Sequence, residues 1–193
     1  MQGHCHYILY KPYGMLSQFL SNDLKETRKK RFLSELGDFS PGTMPVGRLD
    51  DKSEGLLLLT TDGKLSDFVN RSGVEKQYYA QLDGQISQQA LETLQKGVRI
   101  RIQGKAFVTA PCAAFLLTEE PELPPASPKL RPGRHRPYSW ISITLKEGKF
   151  RQIRKMTAAV GFPTLRLVRV RIGSYRLDDL KPGQIKIIQD LEL

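Results

Sequence analysis

A run of four leucines and two threonines, Leu56 to Thr61, constrains the fold more than any other part of the sequence. A half-buried strand alternates apolar and polar residues, whereas this run is apolar at each of its first four positions. It therefore predicts a strand that is buried on both faces. A polar segment between Gly47 and Gly55 leads directly into the run. Because a buried strand fixes the loop that precedes it, polar side chains in this segment are candidates for a functional site.

The rest of the chain predicts further strands interspersed with a few helices, which indicates an α+β or mixed α/β fold in one domain or two small subdomains. Ser87 is a favourable N-cap for one of the helices, and Gly97 is its expected C-terminal residue. A stretch rich in proline and charge, residues 119–137, is interpreted as an exposed basic loop. Strands are predicted at residues 7–10, 76–82, 98–102, 105–110, 140–145, 164–172 and 185–188, and helices at residues 29–36, 64–70, 87–96 and 151–160.

The charge of the chain is large and unevenly distributed. The formal net charge is +10, and the stretch from Leu123 to Leu177 holds thirteen Lys or Arg residues and a single acid, Glu147. A charge of this size predicts an anionic partner, either a nucleic acid or an acidic membrane surface. Its concentration in one stretch favours a binding face, although a solvated surface with scattered charges remains the alternative.

Two classes of protein are disfavoured by the sequence. No apolar run approaches the roughly twenty residues that a membrane-spanning helix needs, and the first residues lack the apolar core of a signal peptide. Cys5 and Cys112 are far apart in the sequence and belong to no pairing motif, which is typical of a reducing cytoplasm. The cluster His4-Cys5-His6 offers metal-type ligands, but it lies at a terminus and lacks a fourth ligand, so no metal site is predicted there.

Asp50, Asp51 and Glu54 form the first candidate for chemistry. Aspartates in a polar loop commonly bind nearby backbone amides, so turn formation is the simplest interpretation. A carboxylate near an RNA-binding face would nevertheless repel phosphate, which favours a chemical role for it. Three acids close together are also an arrangement that can hold Mg²⁺, and a metal-dependent phosphodiesterase is therefore an alternative.

The second and third candidates are basic or aromatic. In the segment from Glu147 to Met156, arginines crowd the predicted start of a helix, where the helix dipole disfavours cations. Stability does not explain that choice, whereas binding of a phosphate or a carboxylate does. In the segment Lys76 to Ala80, alternation places Tyr78 and Tyr79 on opposite faces of a strand, and one of them is a candidate for stacking on a base.

Taken together, these three segments resemble the Rsu-type pseudouridine synthases, which modify bacterial ribosomal RNA. Gly47-Arg48-Leu49-Asp50, followed by Ser53 to Gly63, resembles the catalytic motif of the family. Lys76-x-Tyr78 and Glu147 to Met156 resemble a second and a third motif in the same order and spacing. The resemblance covers almost the whole chain.

The resemblance implies a pseudouridine synthase fold, with a mostly antiparallel mixed sheet that spans two subdomains and a central catalytic cleft. It implies a single catalytic domain over residues 1–193, without the separate N-terminal RNA-binding domain that many members have. It also implies large-subunit ribosomal RNA as the substrate, a monomer in the cytoplasm, and no metal or organic cofactor.

The resemblance assigns roles to individual residues. Asp50 matches the essential aspartate, Tyr78 the tyrosine that packs on the target base, and Arg154 the arginine that pairs with the aspartate and favours its ionised form. Asp50 is then expected either to attack C1′ or to remove a ribose proton, and the sequence does not choose between them. An RNA-binding assembly factor without catalysis is the rival of a different class. The predicted substrate-binding residues are Arg48, Leu49, Lys76, Arg151, Gln152, Ile153 and Lys155.

Overall fold

Two strand-rich units make up the protein in a computed structural model, which describes residues 3–130 and 137–192. The first unit comprises residues 1–74 and 169–193, and the second comprises residues 75–168. In chain order the elements are β1 (His6–Lys11), α1 (Leu24–Lys29), a 3-10 helix (Leu33–Glu35), β2 (Met44–Val46), β3 (Glu54–Thr60), α2 (Gly63–Arg71), β4 (Lys76–Asp83), α3 (Gln88–Lys96), β5 (Arg99–Ile102), β6 (Lys105–Val108), β7 (Ala113–Leu116), β8 (Tyr138–Leu145), α4 (Gln152–Ala159), β9 (Thr164–Ile172), β10 (Tyr175–Arg176) and β11 (Ile185–Ile188).

The first unit is built around β3. This strand pairs antiparallel with β1 on one side and with β2 on the other, and β1 also pairs antiparallel with β11. All seven residues of β3 are buried, which confirms the prediction of a strand covered on both faces. A hydrophobic cluster fills one side of the unit, and its buried members are Tyr7, Leu9, Met15, Leu33, Leu57 and Leu59.

The prediction of a helix over residues 29–36 is wrong. A helix instead covers Leu24–Lys29, where the side chain of Asp23 caps the amides of Lys25 and Glu26. No residue of this helix is buried, so it lacks the apolar periodicity that predicts a helix. Phe32 and Leu33 are buried, and they lie at the start of a single 3-10 turn rather than on one face of an α-helix.

The second unit pairs β4 with β8 and β8 with β7, in both cases antiparallel, and β5 forms a separate antiparallel hairpin with β6. Its hydrophobic cluster combines the inward residues of β4 and β8 with the apolar faces of α3 and α4. Ser87 caps α3 by accepting a hydrogen bond from the amide of Ala90, as predicted. Gly97 ends the helix at φ +101°, and a Cβ there would lie 2.4 Å from the carbonyl oxygen of Thr109, so only glycine fits.

Two remaining segments connect these elements. Strand β9 begins in the second unit and ends in the first, and four consecutive residues of it, from Arg166 to Arg169, are buried. Burial of both faces accounts for the irregular alternation of this strand. In the loop predicted at residues 119–137, residues 119–130 carry no helix or strand and Arg166 donates a 2.8 Å hydrogen bond to the carbonyl of Pro124. Residues 131–136 of that loop lie outside the described residues.

Candidate active site

Asp50 lies on a short segment of the first unit, between the end of β2 and the start of β3. The residue before it, Leu49, is buried, and its backbone is fixed by Ser17. The Ser17 hydroxyl accepts a 2.9 Å hydrogen bond from the Leu49 amide and donates one of 2.9 Å to the Leu49 carbonyl. A hydroxyl has one donor hydrogen and two lone pairs, so the single side chain of Ser17 satisfies both backbone polar groups of buried Leu49.

The backbone that follows Asp50 is fixed as well. The Ser53 amide donates a 3.1 Å hydrogen bond to the carbonyl of Asp50, which closes a turn just before β3. The Gly14 amide donates a 2.6 Å hydrogen bond to the carbonyl of Asp51. Asp50 itself is half-buried, whereas Arg48 is exposed. The carboxylate is therefore held on a backbone that is anchored on both sides.

A buried lysine lies beside this segment. Lys11, at the end of β1, is fully buried, and its ammonium donates hydrogen bonds to the carbonyl oxygens of Pro12 at 2.9 Å and Met15 at 2.6 Å. Burial lowers the pKa of Lys11 to about 7, although the negative charges of Asp51 and Glu54, and to a smaller degree Asp50, act in the opposite direction. The cation next to the candidate catalytic acid thus changes its charge near neutral pH.

The two other acids of the segment are engaged separately. The Lys30 ammonium forms an ion pair with Asp51. Partial burial acts to raise the pKa of Asp51, but the hydrogen bond and charge of Lys30 outweigh it and the pKa is lowered. Glu54 is buried at the first position of β3. Among residues 3–130 and 137–192, no three His, Cys, Asp or Glu side chains are grouped so that they could hold a metal ion.

In the second unit, Tyr78 lies near the start of β4, two residues after Lys76. Both residues are half-buried. Tyr78 is paired with Ile143 of β8 and packs against the hydrophobic cluster of this unit, whose buried members include Ile153. The structure therefore brings Tyr78 and Ile153, two of the predicted site residues, to the same apolar cluster.

The helix that carries the other predicted residues, α4, starts one residue later than expected. Arg151 precedes it in a left-handed conformation, with φ 52° and ψ 36°, and makes no capping hydrogen bond through its side chain. Gln152, the first residue of the helix, is buried and binds the turn that precedes it. Its amide oxygen accepts a 2.9 Å hydrogen bond from the Lys149 amide, and its nitrogen donates one of 2.5 Å to Glu147. Glu147 also accepts a 3.0 Å hydrogen bond from the amide of Ala110, so this start of the helix is tied to the neighbouring strands.

Arg154 and Lys155 point in different directions from α4. Arg154 is half-buried and donates a 3.0 Å hydrogen bond to the carbonyl of Thr164 at the start of β9. A second contact between the same elements is the 2.7 Å hydrogen bond between the hydroxyls of Thr157 and Thr164. Lys155 donates a 2.8 Å hydrogen bond to the carbonyl of Arg101 in β5. The two hydrogen bonds with Thr164 tie α4 to the start of β9.

Sequence reasoning missed three residues that shape the first unit: Lys11, Ser17 and Arg169. Arg169 is buried, and its Nε donates a 2.7 Å hydrogen bond to the carbonyl of Leu56 in β3. The irregular alternation of apolar and charged residues along β9 could have identified Arg169 as buried, whereas nothing local distinguishes Ser17 from an ordinary loop serine.

Comparisons with known proteins show which family this chain resembles. The profile of a family described as RNA pseudouridylate synthase matches residues 5–159. A protein of Xanthomonas axonopodis pv. citri (strain 306) named ribosomal large subunit pseudouridine synthase E is 43% identical over 177 residues, which are 91% of this chain and 89% of that protein. A protein of the same name from Vibrio parahaemolyticus serotype O3:K6 (strain RIMD 2210633) is 41% identical over 94% of this chain and 73% of its own length.

The fold is also found among solved structures. A crystal structure of a pseudouridylate synthase superposes with a TM-score of 0.76 at 23% identity, covering 97% of this chain and 71% of that one. This likeness confirms the predicted fold class. In the described part of the chain, no helix has the length and apolar character that a membrane span requires.

Proposed function

This chain belongs to the RNA pseudouridylate synthase family, and we propose that it isomerises a uridine of large-subunit ribosomal RNA to pseudouridine with Asp50 as the catalytic carboxylate. The names of relatives at 41–43% identity support the substrate. The observation that carries the assignment of Asp50 is the anchoring of its segment, because Ser17 fixes the residue before it and a turn fixes the residues after it. A half-buried carboxylate on a backbone held in this way is suited to act on one atom of a bound substrate.

The reaction breaks the N1–C1′ glycosidic bond, rotates the uracil and forms a bond between C5 and C1′, after which the C5 hydrogen is lost as a proton and N1 gains a proton. Asp50 either attacks C1′ or removes a ribose proton, and both routes need an ionised carboxylate in a fixed position. The reaction has no net change of oxidation state, and we propose that it uses no metal or organic cofactor.

Tyr78 and Arg154 are proposed to act in the same reaction. A uridine in structured RNA must first leave its stack, at a cost of a few kcal/mol. Stacking on an aromatic ring returns about 1–3 kcal/mol per base. Tyr78 is suited to this because it is only half-buried and one side of it packs against a rigid cluster. Arg154, tied to Thr164, supplies a positive charge in a defined place.

The remaining predicted residues divide by chemistry. The cations are proposed to contact phosphates, which positions the strand without reading its sequence. Leu49 and Ile153 are buried and are proposed to support the walls of the uracil site, and Gln152 to hold the start of α4. A ribosomal substrate implies the cytoplasm as the compartment, and we expect a monomer. The proposed phosphate contacts are Arg48, Lys76, Arg151 and Lys155.

The experiment that tests this function replaces Asp50 with asparagine and follows pseudouridine formation in unmodified large-subunit ribosomal RNA. Carbodiimide labelling and primer extension map the product. We expect the rate to fall at least about 1000-fold, because a neutral amide neither attacks C1′ nor removes a proton. RNA affinity should hold or improve, since a negative charge has left the binding site.

The matched control is Asp67→Asn, which makes the same chemical change at an exposed residue of α2 that pairs with Arg71. It should retain the full rate. Full activity of Asp50→Asn would show that the catalytic assignment is wrong. An unmodified RNA pattern with the wild-type protein, together with tight RNA binding, would favour an assembly factor without catalysis.

A further inference from the structure

A basic groove lies on the outer surface of the second unit, between the β5–β6 hairpin and the last turn of α4. It is open and has a volume of about 850 Å³. Arg99, Arg101 and Ala106 of the hairpin line one side, and Lys155, Ala158 and Ala159 of α4 line the other. Ile100 also lines the groove, so its surface combines three cations with apolar side chains.

The hairpin presents its arginines on one face. Arg99 and Arg101 are two residues apart on β5, so both point away from the core while Ile100 between them is buried. Residues at this spacing on a strand are about 7 Å apart, which is comparable to the separation of successive phosphates along a nucleic-acid strand. The partner of Arg101 across the hairpin is Ala106, whose small side chain leaves the guanidinium accessible.

The helix contributes a matching face. Lys155, Ala158 and Ala159 are three and four residues apart, so they lie on the same side of α4. Ala158 and Ala159 are exposed. The Lys155 ammonium is held above the groove by its hydrogen bond to the Arg101 carbonyl and by the ring of Phe150, 5.2 Å away. Arg154, on another side of the helix, donates a hydrogen bond to the carbonyl of Thr164.

The charges of the groove are not explained by ion pairing. In residues 3–130 and 137–192, no carboxylate forms an ion pair with Arg99, Arg101 or Lys155. Three cations around one concave surface repel each other, and among the described residues no ion pair with an acid offsets that cost. An anionic partner would offset it. Since none of the lining residues is aromatic, the groove offers no platform for stacking a base.

We propose that this groove binds the phosphate backbone of the RNA substrate outside the segment that contains the target uridine. The contacts would be made by Arg99, Arg101 and Lys155 and would not depend on the base sequence. The inference rests on the proposed function for the identity of its partner as RNA. It adds a second RNA-binding surface that acts on affinity and not on the chemical step.

The test is the double substitution Arg99→Gln/Arg101→Gln, with a fluorescein-labelled 30-nucleotide oligouridylate as the probe and anisotropy over a range of KCl concentrations as the measurement. Two phosphate contacts to a single strand contribute about 1.4 to the slope of log K against log salt, so the slope should fall by about that amount. At low salt, affinity should fall roughly tenfold. The kcat for pseudouridine formation at saturating ribosomal RNA should stay unchanged while KM rises.

The matched control removes two positive charges from exposed positions of the first unit, Lys181→Gln/Lys186→Gln. It should leave the salt slope within error of the wild type. Ala158→Glu provides a second variant, because it adds an acid to the lining of the groove and leaves both arginines in the sequence. It should weaken binding if the groove is occupied, even where the arginine variant fails to fold.

Unchanged affinity and slope in both groove variants would overturn the proposal. So would equal competition by polyglutamate of the same charge, since that would make the surface a site for acidic protein segments. These outcomes are distinguishable from failure of the proposed function. A protein that forms no pseudouridine, but whose RNA binding depends on Arg99 and Arg101, would refute the activity and support the groove.

Discussion

The segment that carries Asp50 and the helix that carries Arg154 are held in place by different physics. In the first unit, the segment is flanked by buried or paired charges, among them Lys11, Asp51 and Glu54. In the second unit, the helix that carries Arg154 packs into an apolar cluster through Ile153 and Met156. The first region buries the charge of Lys11, whereas the second buries a face of apolar side chains.

This difference teaches that the two regions should respond to different perturbations. A buried charge contributes free energy that changes with pH, whereas apolar burial and neutral hydrogen bonds do not titrate. The charged region surrounds the proposed catalytic acid, which itself works only when ionised. The stability of the protein near neutral pH should therefore depend on the surroundings of Asp50 more than on those of Arg154.

The largest expected effect comes from Lys11→Met, which keeps the length of the side chain and removes its charge. In the folded protein the pKa of Lys11 is about 7, below the usual 10.5. Between these two values the unfolded chain holds the proton more tightly than the folded one, so wild-type stability rises with pH. Over this range the free energy of unfolding increases by about 1.4 kcal/mol per pH unit. Below pH 7 both states hold the proton, so this dependence on pH disappears.

The methionine variant lacks this contribution. Urea denaturation at pH 7 and at pH 9.5 should show that the free energy of unfolding of the wild type increases by about 3 kcal/mol relative to that of Lys11→Met. Lys186→Met, at an exposed position of β11, should show a difference that is independent of pH. A constant difference for Lys11→Met as well would mean that its ammonium is not perturbed, and the contrast between the two regions would disappear.

A smaller effect is expected from Ser17→Ala. The change leaves the amide and the carbonyl of buried Leu49 without their partner, at a cost of about 2 kcal/mol in the free energy of unfolding. It also loosens the backbone next to Asp50. Pseudouridine formation should therefore slow by about tenfold or more while RNA affinity is unchanged.

Ser34→Ala is the matched control for this prediction. The Ser34 hydroxyl also donates a 2.9 Å hydrogen bond to a carbonyl, that of Phe19, but it is exposed. Water replaces the lost partner there, so the free energy of unfolding should change by less than about 0.5 kcal/mol. If Ser17→Ala behaved in the same way, Asp50 would not depend on this anchor.

The elements that the sequence predicts well are those with a strong local signal. The leucine run before Thr60 identifies β3, and the caps Ser87 and Gly97 identify α3, because burial on both faces and helix capping each leave a direct pattern in the residues. The loop that carries Asp50 is identified by its position between two glycines and a buried strand. These inferences need no knowledge of distant contacts.

What the sequence does not reveal depends on tertiary placement. A lysine is nearly always exposed, so nothing in the residues around Lys11 predicts its burial or its lowered pKa. Helix α1 is missed because it has no buried face, and only its cap, Asp23, marks it. The polar contacts around Gln152 extend through Glu147 to Ala110, which is distant in sequence, so their geometry appears only after folding.

The smallest expected effect comes from adding a charge at the buried start of α4. Gln152→Glu places a second carboxylate against Glu147, with which the Gln152 amide now shares a hydrogen bond of 2.5 Å. Repulsion and burial raise the pKa of the introduced acid in the folded state, so stability falls as the pH rises through the range in which the unfolded chain loses its proton. The loss between pH 4 and pH 7 should be about 1 kcal/mol in urea denaturation.

Gln88→Glu also sets a carboxylate beside a glutamate, Glu92, but on the exposed face of α3, where solvent screening should leave the pH dependence almost unchanged. A pH dependence of Gln152→Glu no larger than that of Gln88→Glu would mean that the start of α4 tolerates charge as freely as the surface, and the two regions would no longer differ in kind.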